Sequence, residues 1–300
     1  MLSADQIAAY RAAGYTLVEG AVPPALLARI NEVVEDFIAR ASGVSANNEV
    51  YDLEASHRPD APRVRRLKDP IDRHPLFWDV VRSPGVLGPV TQLLGPDVRL
   101  HGSKLNMKSA GYGAAVEWHQ DWAFYPHTND DLLAVGIMLD DVALENGPLM
   151  VLPGSHRGKI YDHHHDGYFT GAVNLATEAP ELSTAATITA RAGSMSIHHV
   201  RALHGSALNL SNRPRRMLFY EMAAADAWPL FSDLPNYRDF AHFTERMVAG
   251  RPTVEPRVVP APIRMPLPIR RRPESIYALQ AEGGKRYFGA YEDVERKQAT

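Results

Sequence analysis

The 300-residue chain contains no cysteine, which excludes disulfides, thiolate zinc sites, iron–sulfur clusters and cysteine nucleophiles. It has no apolar run approaching the length of a membrane span. An excess of positive charge is missing as well: 32 Lys and Arg stand against 35 Asp and Glu, for a net charge of −3. Nothing in that balance predicts a nucleic acid or a membrane as partner. The first residues, Met1 to Gln6, show no basic region followed by an apolar one, so no secretory signal is expected and a cytoplasmic location is the expectation. With 45% hydrophobic and 22% charged residues, the chain should bury a large core. Two residue types are abundant instead, with 13 His and 23 Pro.

Ser3 with Gln6 reads as a capping box, followed at helical spacing by Ile7, Tyr10 and Ala13. Gly14 should end that helix and Tyr15–Val18 form a short strand. Pro23-Pro24 opens a second helix with Leu27, Ile30, Val33, Val34 and Phe37 as its apolar stripe. Residues 42–62 are polar and without period, which predicts a mobile loop. Leu76 to Leu94 reads as helix in two pieces, broken around Pro84-Gly85. The pattern then changes. Short β-rich runs appear at Val98–Met107, Ala115–Asp121, Leu132–Val142, Leu149–Leu152, Ala186–Ala190, Met195–His199, Ala202–Asn209 and Arg215–Met222. Such strands cut by turn residues predict a mainly β fold with flanking α-helices, a β-sandwich or jelly roll. The chain is expected to be one catalytic domain: a mainly helical part over 1–96, the jelly-roll core over 97–225 and a Pro- and Arg-rich arm over 226–300. Within the arm, residues 252–273 hold seven prolines and should be extended, with a short helix near Ser275–Ala281. Residues 157–185 form a long His-rich segment expected to be a functional loop.

The most informative segment is Val116-Glu-Trp-His119-Gln-Asp121. On a strand, His119 and Asp121 project to the same face. An imidazole beside a carboxylate is half of a facial metal site, and His204, on a late strand, is the best third donor. Two His and one carboxylate bind one face of Fe(II) and leave the other open. Arg215, eleven residues after His204, can pair bidentately with a carboxylate. 2-Oxoglutarate suits both features, its keto-acid end to the metal and its far carboxylate to the arginine. Arg216 should point to the other face of its strand.

Three stretches carry a family resemblance: Trp118-His119-Gln-Asp121, then Glu145-Asn-Gly-Pro-Leu-Met-Val-Leu-Pro-Gly-Ser-His156, then His204-Gly-Ser206 through Asn209 and Ser211 to Arg215. Together they resemble the phytanoyl-CoA dioxygenase family over residues 3–225, most sharply over 101–220, and around these motifs they also look like its ectoine hydroxylase branch. The resemblance implies a double-stranded β-helix of cupin-like type with N-terminal helices. It implies His119, Asp121 and His204 as iron ligands and Arg215 as the anchor of the distal carboxylate of 2-oxoglutarate. Asn106, Ser206 and Tyr125 match positions lining the cosubstrate in that branch. After Asp121 the sequence departs from the ectoine enzymes, which argues against ectoine as substrate. The carboxylate at 121 fills the position where halogenating relatives carry a small residue, so hydroxylation is expected. The implied reaction consumes O2 and 2-oxoglutarate, releases succinate and CO2 and oxidises a small metabolite.

Other features have ordinary readings. Asp162-His-His-His-Asp166 reads as a solvated loop or lid, His156 as a structural turn residue, and one of His198 and His199 should face the barrel and meet substrate. Trp122, Phe124 and Tyr125 should divide between core and pocket, with Trp122 a candidate substrate contact. Lys104, Asn106 and Lys108 share one strand face, so Lys104 and Lys108 are candidates for attracting an anionic substrate. Arg63, Arg65, Arg66 and Lys68 read as a solvent-facing charge run that could converge on the pocket mouth. The alternatives are a fatty acyl-CoA hydroxylase, a non-catalytic jelly-roll protein with a structural metal, and a cupin-like isomerase or hydrolase using Zn or Mn. Oligomeric state is left open by the sequence.

Overall fold

The Ser3 hydroxyl accepts the Gln6 amide and the Gln6 side chain accepts the Ser3 amide, so the capping box starts helix α1 (Ala4–Ala13), which Gly14 closes at φ 81°. The structure, a computed structural model, describes residues 1–111, 113–230, 239–264, 269–271 and 275–288. Strand β1 (Tyr15–Val18) and helix α2 (Pro24–Arg40) follow as expected, with Ile30, Val34 and Phe37 buried. The predicted loop over 42–62 and the basic run after it need correction. They contain β2 (Tyr51–Leu53) and β3 (Val64–Lys68), an antiparallel pair. The buried carboxylates of Asp52 and Glu54 pair with Lys68 at 2.8 Å and Arg65 at 3.3 Å. Charges that read as a solvated run thus neutralise buried partners.

Helices α3 (Leu76–Val81) and α4 (Pro84–Leu94) are the two expected pieces. The β region then supplies β4 (Val98–Lys108), β5 (Val116–His119), β6 (Leu132–Met138), β7 (Leu149–Val151), a small hairpin of β8 (His164–His165) and β9 (Tyr168–Phe169), β10 (Ala186–Ile188), β11 (Met195–His199), β12 (His204–Ser206) and β13 (Arg215–Ala224). Strand β12 is shorter than expected because Asn209 makes a turn: its Nδ2 donates to the carbonyls of Lys108, Ser109 and Arg213. Helix α5 (Phe240–Glu245), β14 (Met247–Ala249) and helix α6 (Ile276–Ala281) complete the described elements.

The strands make two facing sheets. The larger runs β1-β11-β6-β13-β4-β3-β2, with β14 also on β4, and the smaller runs β10-β7-β12-β5. All pairings are antiparallel. This is a jelly roll. Alternation along β13 explains how the large sheet is buried on both faces. Met217 and Phe219 point between the sheets, packing with Val151 and Ile188. Leu218 and Tyr220 point the other way, onto a core shared with Ile30, Val34, Phe77 and Val80 of the helices.

The C-terminal arm lies along this body. Arg257 pairs with Asp226, and the Phe169 amide donates to the Ile269 carbonyl. Helix α6 is held by Gln280, whose Oε1 accepts the Glu117 amide at 2.9 Å and whose Nε2 donates to the Gly171 carbonyl at 2.8 Å. Pro266, Pro268, Arg272 and Pro273 of the expected extended stretch lie outside the described residues.

Candidate active site

His119 ends β5, Asp121 begins the 3-10 turn that follows, and His204 begins β12 directly across from His119 in the strand register. Two neighbouring strands of the small sheet therefore bring all three together. One potential ligand atom from each lies within 4.8 Å of the others. Asp121 Oδ1 is 3.6 Å from His119 Nε2 and 3.9 Å from His204 Nε2. Those separations are long for hydrogen bonds and suit donors each about 2.1 Å from one shared ion.

The rings are oriented for that purpose. His119 Nδ1 lies 2.7 Å from the Glu117 carbonyl and His204 Nδ1 2.9 Å from the Ala202 carbonyl. A carbonyl can only accept, so each Nδ1 carries the proton and each Nε2 presents its lone pair to the centre. Burial lowers the His119 pKa to about 4 and holds His204 well below its usual range, so both imidazoles stay neutral. Burial opposes ionisation of Asp121, but the Lys104 cation leads the groups that outweigh it, and the carboxyl is held well below the usual carboxylate range. Two neutral imidazoles and a carboxylate are the donor set that Fe(II) takes in a facial triad, so the residues fit the metal.

These three residues border a cavity of about 550 Å³, mouth included, between the sheets. The large sheet supplies its polar wall. Arg215 is 2% exposed; one guanidinium nitrogen donates to the Gly147 carbonyl at 2.5 Å, and its Nε is buried without a partner among the described residues. Burial lowers its pKa to about 10, so it remains a cation. Arg216 points to the opposite face, as expected, and pairs with Asp140 and Glu35. Lys108 stands opposite Arg215 in register and spends its Nζ on the carbonyls of Ser206 and Ala207. Asn106 Oδ1 accepts from Arg66 Nε at 3.0 Å, and Lys104 pairs with Glu221 at 2.5 Å. Ser206 also lines the cavity. His198 lies with Nε2 3.6 Å from Asp121 Oδ2, and neither ring nitrogen has a hydrogen-bond partner among the described residues.

Two expected contacts lie elsewhere. Trp122 is buried among Leu132, Val200 and Ala223, with its Nε1 donating to the Pro262 carbonyl at 2.7 Å. It faces the C-terminal arm, away from His119 and Asp121, which is also the face to which simple alternation would send the residue after Asp121. Tyr125 sits near Asp121, and burial together with that negative charge raises its phenol pKa, with its ring 4.4 Å from that of His101. It does not line the cavity. The rival histidine cluster is structural: His163 accepts the Gln120 amide and His164 pairs with Asp162. His156 Nε2 meets the Arg11 carbonyl at 3.3 Å, and His199 packs against its ring at 5.2 Å. Sequence reasoning missed Tyr277 of α6, which lines the cavity. Arg66, read from the sequence as part of a solvent-facing run that could converge on the pocket mouth, does line the cavity.

Comparison with known proteins agrees with this geometry. The family profile of phytanoyl-CoA dioxygenases matches residues 10–217. A probable alpha-ketoglutarate-dependent hypophosphite dioxygenase of Stutzerimonas stutzeri is 39% identical over 289 residues, covering 95% of this chain and 99% of that one. An ectoine dioxygenase of Bordetella parapertussis is 30% identical over 241 residues, covering 73% and 74%. Among solved structures, EctD of S. alaskensis with 2-oxoglutarate and 5-hydroxyectoine superposes with a TM-score of 0.62 at 24% identity, covering 75% of this chain and 77% of that chain. The epimerase SnoN, solved with Fe3+ and alpha-ketoglutarate, gives 0.64 at 19% identity, covering 86% and 95%. These two share the fold.

Proposed function

The chain belongs to the phytanoyl-CoA dioxygenase family of Fe(II)- and 2-oxoglutarate-dependent enzymes, and from that premise we propose that it hydroxylates a small anionic metabolite within a single catalytic domain. The observation that carries this reading is the charge of the cavity. Arg66, Lys104, Lys108 and Arg215 line it, while Asp121 is its one acidic lining residue among those described. His119, Asp121 and His204 would hold Fe(II). The iron, when bound, supplies the O2 activation that no side chain can perform.

The chain's own residues do the rest. Arg215 offers a buried guanidinium to the distal carboxylate of 2-oxoglutarate. Asn106 and Ser206 border the same region. Lys104, nearer Asp121, attracts the substrate anion, and the apolar wall of Met217, Phe219 and Ala134 excludes water. Hypophosphite, the substrate class in the name of the 39% identical relative, has the size and charge this wall favours. One atom of O2 would enter a P–H bond to give phosphite while the other enters succinate. The test is incubation with Fe(II), 2-oxoglutarate and hypophosphite, followed by phosphorus NMR and succinate assay. Phosphite and succinate in equal amounts support the reading. Succinate formation indifferent to hypophosphite and to other small oxyanions contradicts it.

A further inference from the structure

The family match ends at residue 217, yet the cavity is closed by a residue sixty positions later. Tyr277, on α6, is 6% exposed, and its hydroxyl is buried without a hydrogen-bond partner among the described residues. A buried hydroxyl left unmade is costly, and such groups in native proteins await a partner. Its position in the cavity follows from the strand residues that it packs against. Along β4 the inward residues Lys108, Asn106 and Lys104 stand opposite Arg215, Met217 and Phe219 of β13. Each step of two residues covers about 6.6 Å. Arg66 stands opposite Asn106, and its guanidinium lies 5.2 Å from the centre of the Tyr277 ring. That of Arg65 lies at 4.9 Å. That places Tyr277 beside the middle of the row; it also packs on Val116, which stands opposite Ser206, whose carbonyl accepts from Lys108, so the ring lies toward the Lys108 and Arg215 end of the cavity and away from Lys104.

We infer that the Tyr277 hydroxyl, together with Arg215, binds the distal carboxylate of 2-oxoglutarate, so that the C-terminal arm supplies a direct part of the cosubstrate site. The inference rests on Arg215 as the carboxylate anchor. The mount is rigid. The ring packs on Ala114 and Val116 of the small-sheet side, and the Gln280 bonds tie α6 to β5, two residues before His119. Burial raises the phenol pKa, so the hydroxyl stays protonated and donates. Arg215 gives one N–H to the Gly147 carbonyl and keeps its others, Nε among them, for the same carboxylate, which Tyr277 would meet from the opposite wall.

The test uses Tyr277→Phe, which keeps the ring beneath Arg65 and Arg66 and deletes only the hydroxyl. Anaerobic calorimetry of the Fe(II)-loaded protein compares two ligands. One is 2-oxoglutarate; the other is 2-oxopentanoate, which has the same keto-acid head and no distal carboxylate. A charge-assisted hydrogen bond predicts a rise in the 2-oxoglutarate Kd of about tenfold in the variant, with 2-oxopentanoate binding unchanged. An unchanged 2-oxoglutarate Kd, or equal weakening of both ligands, overturns the inference. A wild-type protein that binds the two ligands equally well would instead refute Arg215 as the anchor, and the role of Tyr277 with it.

Discussion

At the scale of single residues, the cavity separates two anionic guests by where its cations stand. Arg215 and Lys104 are on neighbouring strands, four residues apart in register, roughly 13 Å along the sheet. Lys104→Ala should raise the KM for the oxidised substrate by about tenfold or more, with the 2-oxoglutarate KM little changed. Arg215→Ala should do the reverse. Steady-state kinetics with each ligand varied separately reads both, and a Lys104 variant whose substrate KM is unmoved would remove the anionic-substrate reading. The metal residues and Arg215 were legible in the sequence because their chemistry dictates residue type and order. Tyr277 was not, because a lone tyrosine after a Pro-rich arm carries no period and no motif. Trp122 was misplaced because adjacency to Asp121 was read as nearness to the pocket, whereas successive residues face opposite ways.

At the scale of elements, the strands from Val98 onward could be read from alternation and turn residues, and the helices from their caps. Strands β2 and β3 could not. Their buried positions, Val64 and Leu67, are three apart, where alternation would place them two apart, and their charged residues pair with buried carboxylates instead of marking solvent. Helix α2 shows what the helical layer contributes. Ile30 is fully buried against the outer face of the large sheet. Ile30→Ala should cost about 2–5 kcal/mol of stability, measured by urea unfolding, while kcat below the melting range stays close to wild type. A loss of activity without a loss of stability would mean that α2 positions the cavity wall directly.

At the scale of the whole molecule, buried histidines make stability depend on pH. Burial lowers His101 and His163 to about 3 and His199 to about 4, from 6.5. Each folded-state pKa lies below the unfolded value, so between them the unfolded chain binds protons that the folded chain refuses. Their contribution is fully present above pH 6.5 and is lost as pH falls toward 4, by about 1.4 kcal/mol per pH unit for each histidine. Denaturation of the metal-free protein between pH 7 and 5 should show this slope, and His163→Gln should make it shallower; a flat profile would place these rings in contact with water. The central claim is that the two strands β5 and β12 and the face of the large sheet together form one iron and 2-oxoglutarate site. Anaerobic titration of the metal-free protein with Fe(II) and 2-oxoglutarate, followed by visible absorption, tests it most directly. The account predicts a weak metal-to-ligand charge-transfer band that disappears in Asp121→Ala. A folded wild-type protein that gives no band, or a band that survives in Asp121→Ala, would contradict it.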